Sequence, residues 1–127
     1  MGDFDWSGYL ILAQRLAGQG RTPVPPDAML RSAISRAYYA AFNKARWHLR
    51  YVEFDINIPD TGDAHAYVRQ QFETHPDIRR KEIAVNLERL LGARKRADYR
   101  DTFSRLEGTA QLSLQWAEEV FSALENL

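Results

Sequence analysis

Cysteine is absent from the 127 residues of this chain. Its absence excludes disulfides, thiolate-bound zinc, iron–sulfur clusters and thiol nucleophiles together, and it fits a reducing compartment. Net charge is absent too, because 17 Lys and Arg balance 17 Asp and Glu. A uniformly basic coat and an acidic disordered tail are therefore both excluded. Long hydrophobic runs are missing, and the stretch from Tyr9 to Ala13 is far too short to span a bilayer. Residues 1–6 are acidic where a secretory leader needs Lys or Arg, and Trp6 stands where a myristoylation signal needs Ser or Thr. These features predict a cytoplasmic protein with no membrane segment.

Histidine is scarce. His48, His65 and His75 are the three present, and no two are spaced three or four residues apart. Asp55-Ile56-Asn57-Ile58 begins like a calcium loop. Pro59, Asp60 and Ala66 then stand where the third ligand, the turn glycine and the bidentate Glu are required. No metal site is expected, and no cofactor. Gly18-Gln19-Gly20 follows a helical pattern rather than a strand, with Pro23 in place of a third glycine, so it reads as a helix stop and not a phosphate cradle. A Gly-x-Ser-x-Gly elbow is also lacking.

What is present is helical periodicity. The length suits one domain, residues 1–127. Tyr9, Ala13, Leu16 and Ala17 form the apolar stripe of a first helix within 5–18. Prolines 23, 25 and 26 make a stiff connector. A long second helix runs from Pro26 or Asp27 to Arg50, with Leu30, Ile34, Ala37, Ala41, Ala45 and Leu49 as its buried seam. A second stripe on it is polar and basic: Ser32, Arg36, Tyr39, Asn43, Arg46 and Arg50. Residues 52–62 read as a loop, although 52–56 could pair briefly as a strand. Asp63 is placed to cap a third helix over 64–74, and Pro76 interrupts it. A fourth helix runs from about Asp77 to Arg96 and buries Ile83, Leu87, Leu90 and Leu91. Ser104-Arg105-Leu106-Glu107 has the form of a capping box. It opens a last helix striped by Leu106, Ala110, Ser113, Leu114, Ala117, Phe121 and Leu124. The expectation is an all-α, antiparallel bundle of about five helices.

The zero net charge conceals segregation. Residues 31–50 hold five basic and no acidic residues, and residues 79–105 hold nine basic and four acidic ones. Residues 51–78 and 106–127 carry the compensating acid. If the two basic segments are neighbours, they form a positive surface with Tyr39 and Tyr99 beside it, which suits phosphates and stacked bases. The alternative is that these Arg residues pair with the acidic loop 53–63 and the last helix.

Two segments carry a family resemblance. Arg31-Ser32-Ala33-Ile34-Ser35-Arg36-Ala37-Tyr38-Tyr39-Ala40-Ala41-Phe42 is similar to the second-helix signature of the HEPN domain family. Leu90-Leu91-Gly92-Ala93-Arg94-Lys95-Arg96-Ala97-Asp98-Tyr99 resembles the Arg-x-x-Ala-Asp-Tyr turn before the last helix of small stand-alone members. The resemblance implies a helical homodimer from a prokaryotic toxin–antitoxin or defence system, with a minimal nucleotidyltransferase as partner. Active toxins of the family are metal-independent ribonucleases that use an Arg followed, four to six residues on, by a His. Here those windows hold Tyr99, Arg100 and Asp101 after Arg94, and Asp101, Thr102 and Phe103 after Arg96. A ribonuclease needs a group that moves protons near neutral pH, and none stands there. Asp98 is expected to accept from backbone or from Arg36, and Tyr99 to pack its ring and tie down its hydroxyl.

The reading is therefore a module binding RNA, a nucleotide or a nucleotidyltransferase through Arg36, Tyr39, Asn43, Arg46, Arg96, Asp98 and Arg100. The alternative is a divergent ribonuclease using Arg94 and Tyr99. A purely structural antitoxin or scaffold is the third possibility.

Overall fold

The computed structural model describes residues 4–127 and contains five α-helices, with no strand among the described residues. They are α1 (Ser7–Leu16), α2 (Pro26–Trp47), α3 (Ala64–Glu73), α4 (Ile78–Tyr99) and α5 (Leu106–Glu125). The all-α bundle read from the periodicity is what the chain forms. No helix is long and apolar enough to cross a membrane.

α2, α4 and α5 form the central trio, and α3 lies against α4 and α2. The direction of each follows from its end contacts. The start of α2 meets the end of α4, because Arg31 reaches the Ala97 carbonyl. The start of α4 meets the end of α5, because Arg79 donates to the Asn126 carbonyl at 2.8 Å. α4 is thus antiparallel to both neighbours, and α2 and α5 run the same way. The expected Ala seam of α2 is buried, with Ala41 and Ala45 fully inaccessible. Small side chains there let α4 and α5 approach, while Phe72, Ile83, Leu90 and Val120 fill the space between them.

α1 buries a different face from the one expected. Ala13, Leu16 and Ala17 are exposed, whereas Gly8 is buried and Tyr9, Ile11 and Leu12 are half-buried. Gly8 decides this. A Cβ there would stand 3.1 Å from the Ala28 Cβ, so the helices cross where a side chain is missing. Gly18 ends the helix region with φ of +78°, as the stop signal required.

Three local expectations are corrected. α2 does not stay α-helical to Arg50. His48–Val52 widens into a π-helical turn, marked by the bond from Glu53 N–H to the His48 carbonyl. The wide turn leaves the Glu53 carboxylate 2.6 Å from Arg80 and 2.8 Å from the His48 ring. Burial works against the Glu53 charge, but Arg80 and His48 outweigh it and hold the carboxyl below its ordinary range. At α3, Asp63 occupies the cap position but its side chain accepts nothing from the helix. At α5, the Ser-x-x-Glu capping box does not form. The cap is Arg105, at φ of 58°, with no side-chain bond, and Ser104 lies one residue too early. Asp77 does cap α4, accepting from the Arg79 N–H at 2.9 Å.

One polar side chain organises the α4–α5 corner. Arg31 is 2% exposed and faces no carboxylate among the described residues. Its guanidinium donates to the carbonyls of Ala97 (2.9 Å), Arg100 (2.6 Å) and Asp101 (3.4 Å). The Phe4 ring covers it at 4.1 Å, and Trp6 lies at 5.1 Å. These carbonyls lie at and just beyond the negative end of α4, where a cation is favoured; the Ala97 oxygen also accepts from the Tyr9 hydroxyl and the Asp101 oxygen from the Phe4 N–H. Replacing Arg31 by Met keeps bulk, removes three charge-assisted bonds and leaves the Arg100 carbonyl without a donor among the described residues. Urea unfolding should show a loss of about 3 kcal/mol; a loss below about 1 kcal/mol would show that water replaces the guanidinium.

Candidate functional site

The two segments singled out in the sequence lie against each other. Ser35 on α2 donates to the Asp98 carboxylate at 3.1 Å, and the Arg94 guanidinium lies 5.4 Å from the Tyr39 ring. Arg94 to Tyr99 is not a turn. It is the last turn and a half of α4, so Arg94 and Asp98 stand four residues apart on one face, with nitrogen and oxygen 3.6 Å apart.

Arg94 is the centre of this cluster. Tyr38 and Tyr99 are each 5.7 Å from its guanidinium carbon, so three tyrosine rings frame it. Burial opposes its charge, but Tyr99, Tyr39 and Asp98 outweigh that and hold the proton more tightly than usual. Asp98 is committed elsewhere. It accepts from the Tyr9 hydroxyl at 3.2 Å as well as from Ser35, and burial together with this carboxylate pushes the Tyr9 hydroxyl well above its ordinary value. The Arg94 cation is therefore only loosely paired. Its Nε has no partner among the described residues.

A histidine joins the cluster from α3. The His65 ring stacks on Phe42, with centroids 4.2 Å apart and planes at 16°, and it lies edge-on to Tyr39. Its Nδ1 shares a hydrogen bond with the Tyr38 hydroxyl. Tyr38 is buried, and burial pushes its hydroxyl up to about 12, against the opposing pull of Arg94. It stays protonated at neutral pH. With Tyr38 donating, Nδ1 is the acceptor and Nε2 carries the proton of the neutral ring. Burial lowers the His65 pKa below the ordinary imidazole value, and the positive charges of Arg94 and Lys95 lower it further.

Sequence reasoning missed His65. It sought a histidine a few residues after Arg94, whereas this one is 29 residues before it and arrives through the packing of α3. The available signal was its position one residue into an amphipathic helix, beside the buried Ala64 and Val68.

The other expected residues divide. Tyr39 belongs to the cluster, 39% exposed. Asn43, one turn on, is exposed but turned back to the Tyr39 carbonyl. Tyr99 does not pack down; it is 71% exposed. Asp98 does not pair with Arg36, which donates to Ser32 instead and lines a separate groove between α2 and α5. Arg46 lies two turns beyond Tyr39, outside the cluster. Arg96 and Arg100 face another cavity, of about 830 Å³, bordered by Phe4, Arg31 and Phe103. Among the described residues, Arg36, Arg46, Arg96 and Arg100 form no ion pair with the acidic loop or with α5. No cluster of three metal-ligating side chains occurs among the described residues.

Comparison of the chain with protein-family models, with curated proteins and with solved structures finds no match.

Proton NMR should place the His65 titration below 6.5, and Arg94→Gln should move it upward. Because the folded state disfavours the charged ring, the unfolded chain takes up a proton first as pH falls. His65 therefore withdraws stability below about pH 6.5. A His65 titration unmoved by Arg94→Gln would show that the two charges do not sense each other.

Proposed function

We propose that this chain is a HEPN-like module that binds RNA or a nucleotide at the Arg94 cluster. The observation that carries the reading is a half-buried, loosely paired guanidinium framed by Tyr39 and Tyr99, both of which are exposed residues. Arginine matches phosphate oxygens with two parallel donors. Exposed tyrosines offer stacking to bases of any sequence. Lys95, Arg96 and Arg100 on the same end of α4 add long-range attraction. In the same reading the chain is a homodimer and a component of a prokaryotic toxin–antitoxin or defence system, with a nucleotidyltransferase as partner.

A second reading, cleavage of RNA without metal, is favoured by His65. The imidazole supplies the proton-moving group that the sequence lacks after Arg94, and Arg94 would stabilise charge on the phosphate.

Fluorescence anisotropy with a labelled single-stranded RNA tests binding. Affinity should fall steeply with salt through counterion release, and Arg94→Ala should weaken it about tenfold, the worth of one charge-assisted contact. Arg21→Ala, in the connector before α2, should leave it unchanged. Salt-insensitive binding, or none, would sink the reading. Incubating RNA with the protein and a chelator separates the two readings. Cleavage that disappears in His65→Ala while RNA is still bound supports catalysis; intact RNA under the wild type leaves binding alone.

A further inference from the structure

Four residues of α2 and the turn after it stand at intervals of four: Tyr39, Asn43, Trp47 and Tyr51. Residues four apart are neighbours along one ridge of a helix. Asn43 donates to the Tyr39 carbonyl at 2.9 Å, and the Trp47 and Tyr51 rings lie 5.7 Å apart. All four residues are exposed, Trp47 by 48% and Tyr51 by 58%. The wide turn His48–Val52 carries Tyr51, and such turns are frequent at functional sites. The ridge starts inside the Arg94 cluster, because Tyr39 is one of the rings around that guanidinium. Beyond the cluster it runs beside cations. Lys44 Nζ stands 4.5 Å from the Trp47 ring, and Arg46 and Arg50 each follow a ridge member by three residues. None of the three forms an ion pair among the described residues, and the Arg46 Nε, shielded from water, has no partner there. The acidic residues that follow are engaged elsewhere: Glu53 by Arg80 and His48, Asp55 by the Tyr67 hydroxyl. Asp60 and Asp63 lead into α3, whose His65 lies against Tyr38 and Phe42 on the adjoining ridge.

We propose that Trp47 and Tyr51 form a second base-stacking site, which extends the Arg94 cluster into a track for single-stranded RNA several nucleotides long. The inference rests on the RNA reading above and narrows it, since a mononucleotide fills the Arg94 end alone. The residue types fit. Aromatic rings accept bases of any sequence, and cations beside them follow the phosphate backbone. Indole and phenol rings left on the surface next to unpaired Lys and Arg are the combination that this binding uses. The Trp47 and Tyr51 planes are tilted by 49°, so the pair is a platform on which a base lies and not a slot between parallel rings. Length fits as well. Twelve residues separate Tyr39 from Tyr51, about 18 Å of helix. At about 3.4 Å for each stacked nucleotide, that is a span of about five. The other exposed groove on α2, shared with α5, sets Glu118 and Glu125 against Arg36 and offers a phosphate backbone no such path.

Labelled oligouridylates of two, four, six and eight nucleotides, titrated by fluorescence anisotropy, test the track. Affinity should rise with length up to the six-mer and then level off. Trp47→Leu keeps an apolar side chain but removes the ring. It should weaken the eight-mer about tenfold, the worth of one stacked base, and leave the two-mer unchanged. Trp47→Phe should retain most of the eight-mer affinity, and Arg94→Ala should weaken both lengths. The eight-mer should also quench tryptophan fluorescence in the wild type and not in Trp47→Phe. Equal affinity for the two-mer and the eight-mer, or an eight-mer that binds Trp47→Leu as it binds the wild type, overturns the proposal. If Arg94→Ala still weakens both oligomers in that case, the reading of the Arg94 cluster survives. If no oligomer binds, both fall. A loss of eight-mer affinity in Trp47→Leu but not in Arg94→Ala keeps the platform and overturns its connection to the cluster. Unchanged eight-mer binding together with a lower mass by light scattering in Trp47→Leu assigns the ridge to a protein contact instead.

Discussion

The buried Arg31 guanidinium ties together the parts of the bundle that local sequence does not. It holds the end of α4, and through it the corner that leads into α5. The N-terminal aromatics gather over it. Phe4 covers the cation, the Phe4 N–H bonds the Asp101 carbonyl, and the Trp6 ring donates to the Asp101 carboxylate. A bare positive charge is costly to bury. Here the cost is offset by three carbonyls, by the dipole of α4 and by aromatic faces, so removing any one of them weakens the case for the others. Because Arg31 fixes where α4 ends relative to α2, it also fixes the register that sets Ser35 against Asp98 and Tyr39 against Arg94.

That dependence explains how much was legible in the sequence. The helices were, because Ile34, Ala37, Ala41 and Ala45 mix steps of three and four, which would fall on both faces of a strand, and because Gly18, Pro76 and Asp77 mark ends by their own backbone chemistry. The α1 face was not. Its periodicity was weak, and the choice fell to Gly8, whose importance lies in Ala28 on another helix. The capping box failed for a similar reason: Ser104 and Glu107 have the right spacing, but the corner held by Arg31 places the helix start at Leu106. Local signals were reliable where only local bonds decide, and misleading where a distant contact sets the frame.

The candidate site divides along the same line. Arg94, Asp98, Tyr39 and Tyr99 could be named because two short segments carry them. Arg31, which begins the first of those segments, could be named as well, but its role could not: it is architectural, whereas a count of charges enters it as part of a basic surface. His65 could not be found by spacing at all. The histidine belongs to the cluster through a stack on Phe42 and a bond to Tyr38, and both depend on how α3 lies across α2.

The shared direction of α2 and α5 carries a consequence for the molecule as an electrical object. Within the central trio, two helix N-termini stand at the end where α4 presents its C-terminus, and the opposite end has two C-termini to one N-terminus. Partial charges of about half a unit at each terminus therefore fail to cancel within the trio, leaving its helix dipoles with a net positive partial charge at the Arg31 end. Arg96 and Arg100 stand at that same end. A polyanion approaching from any side would exert a torque that turns this end toward it before contact, so the parallel pair gives the chain a preferred heading in an electric field despite its zero net charge.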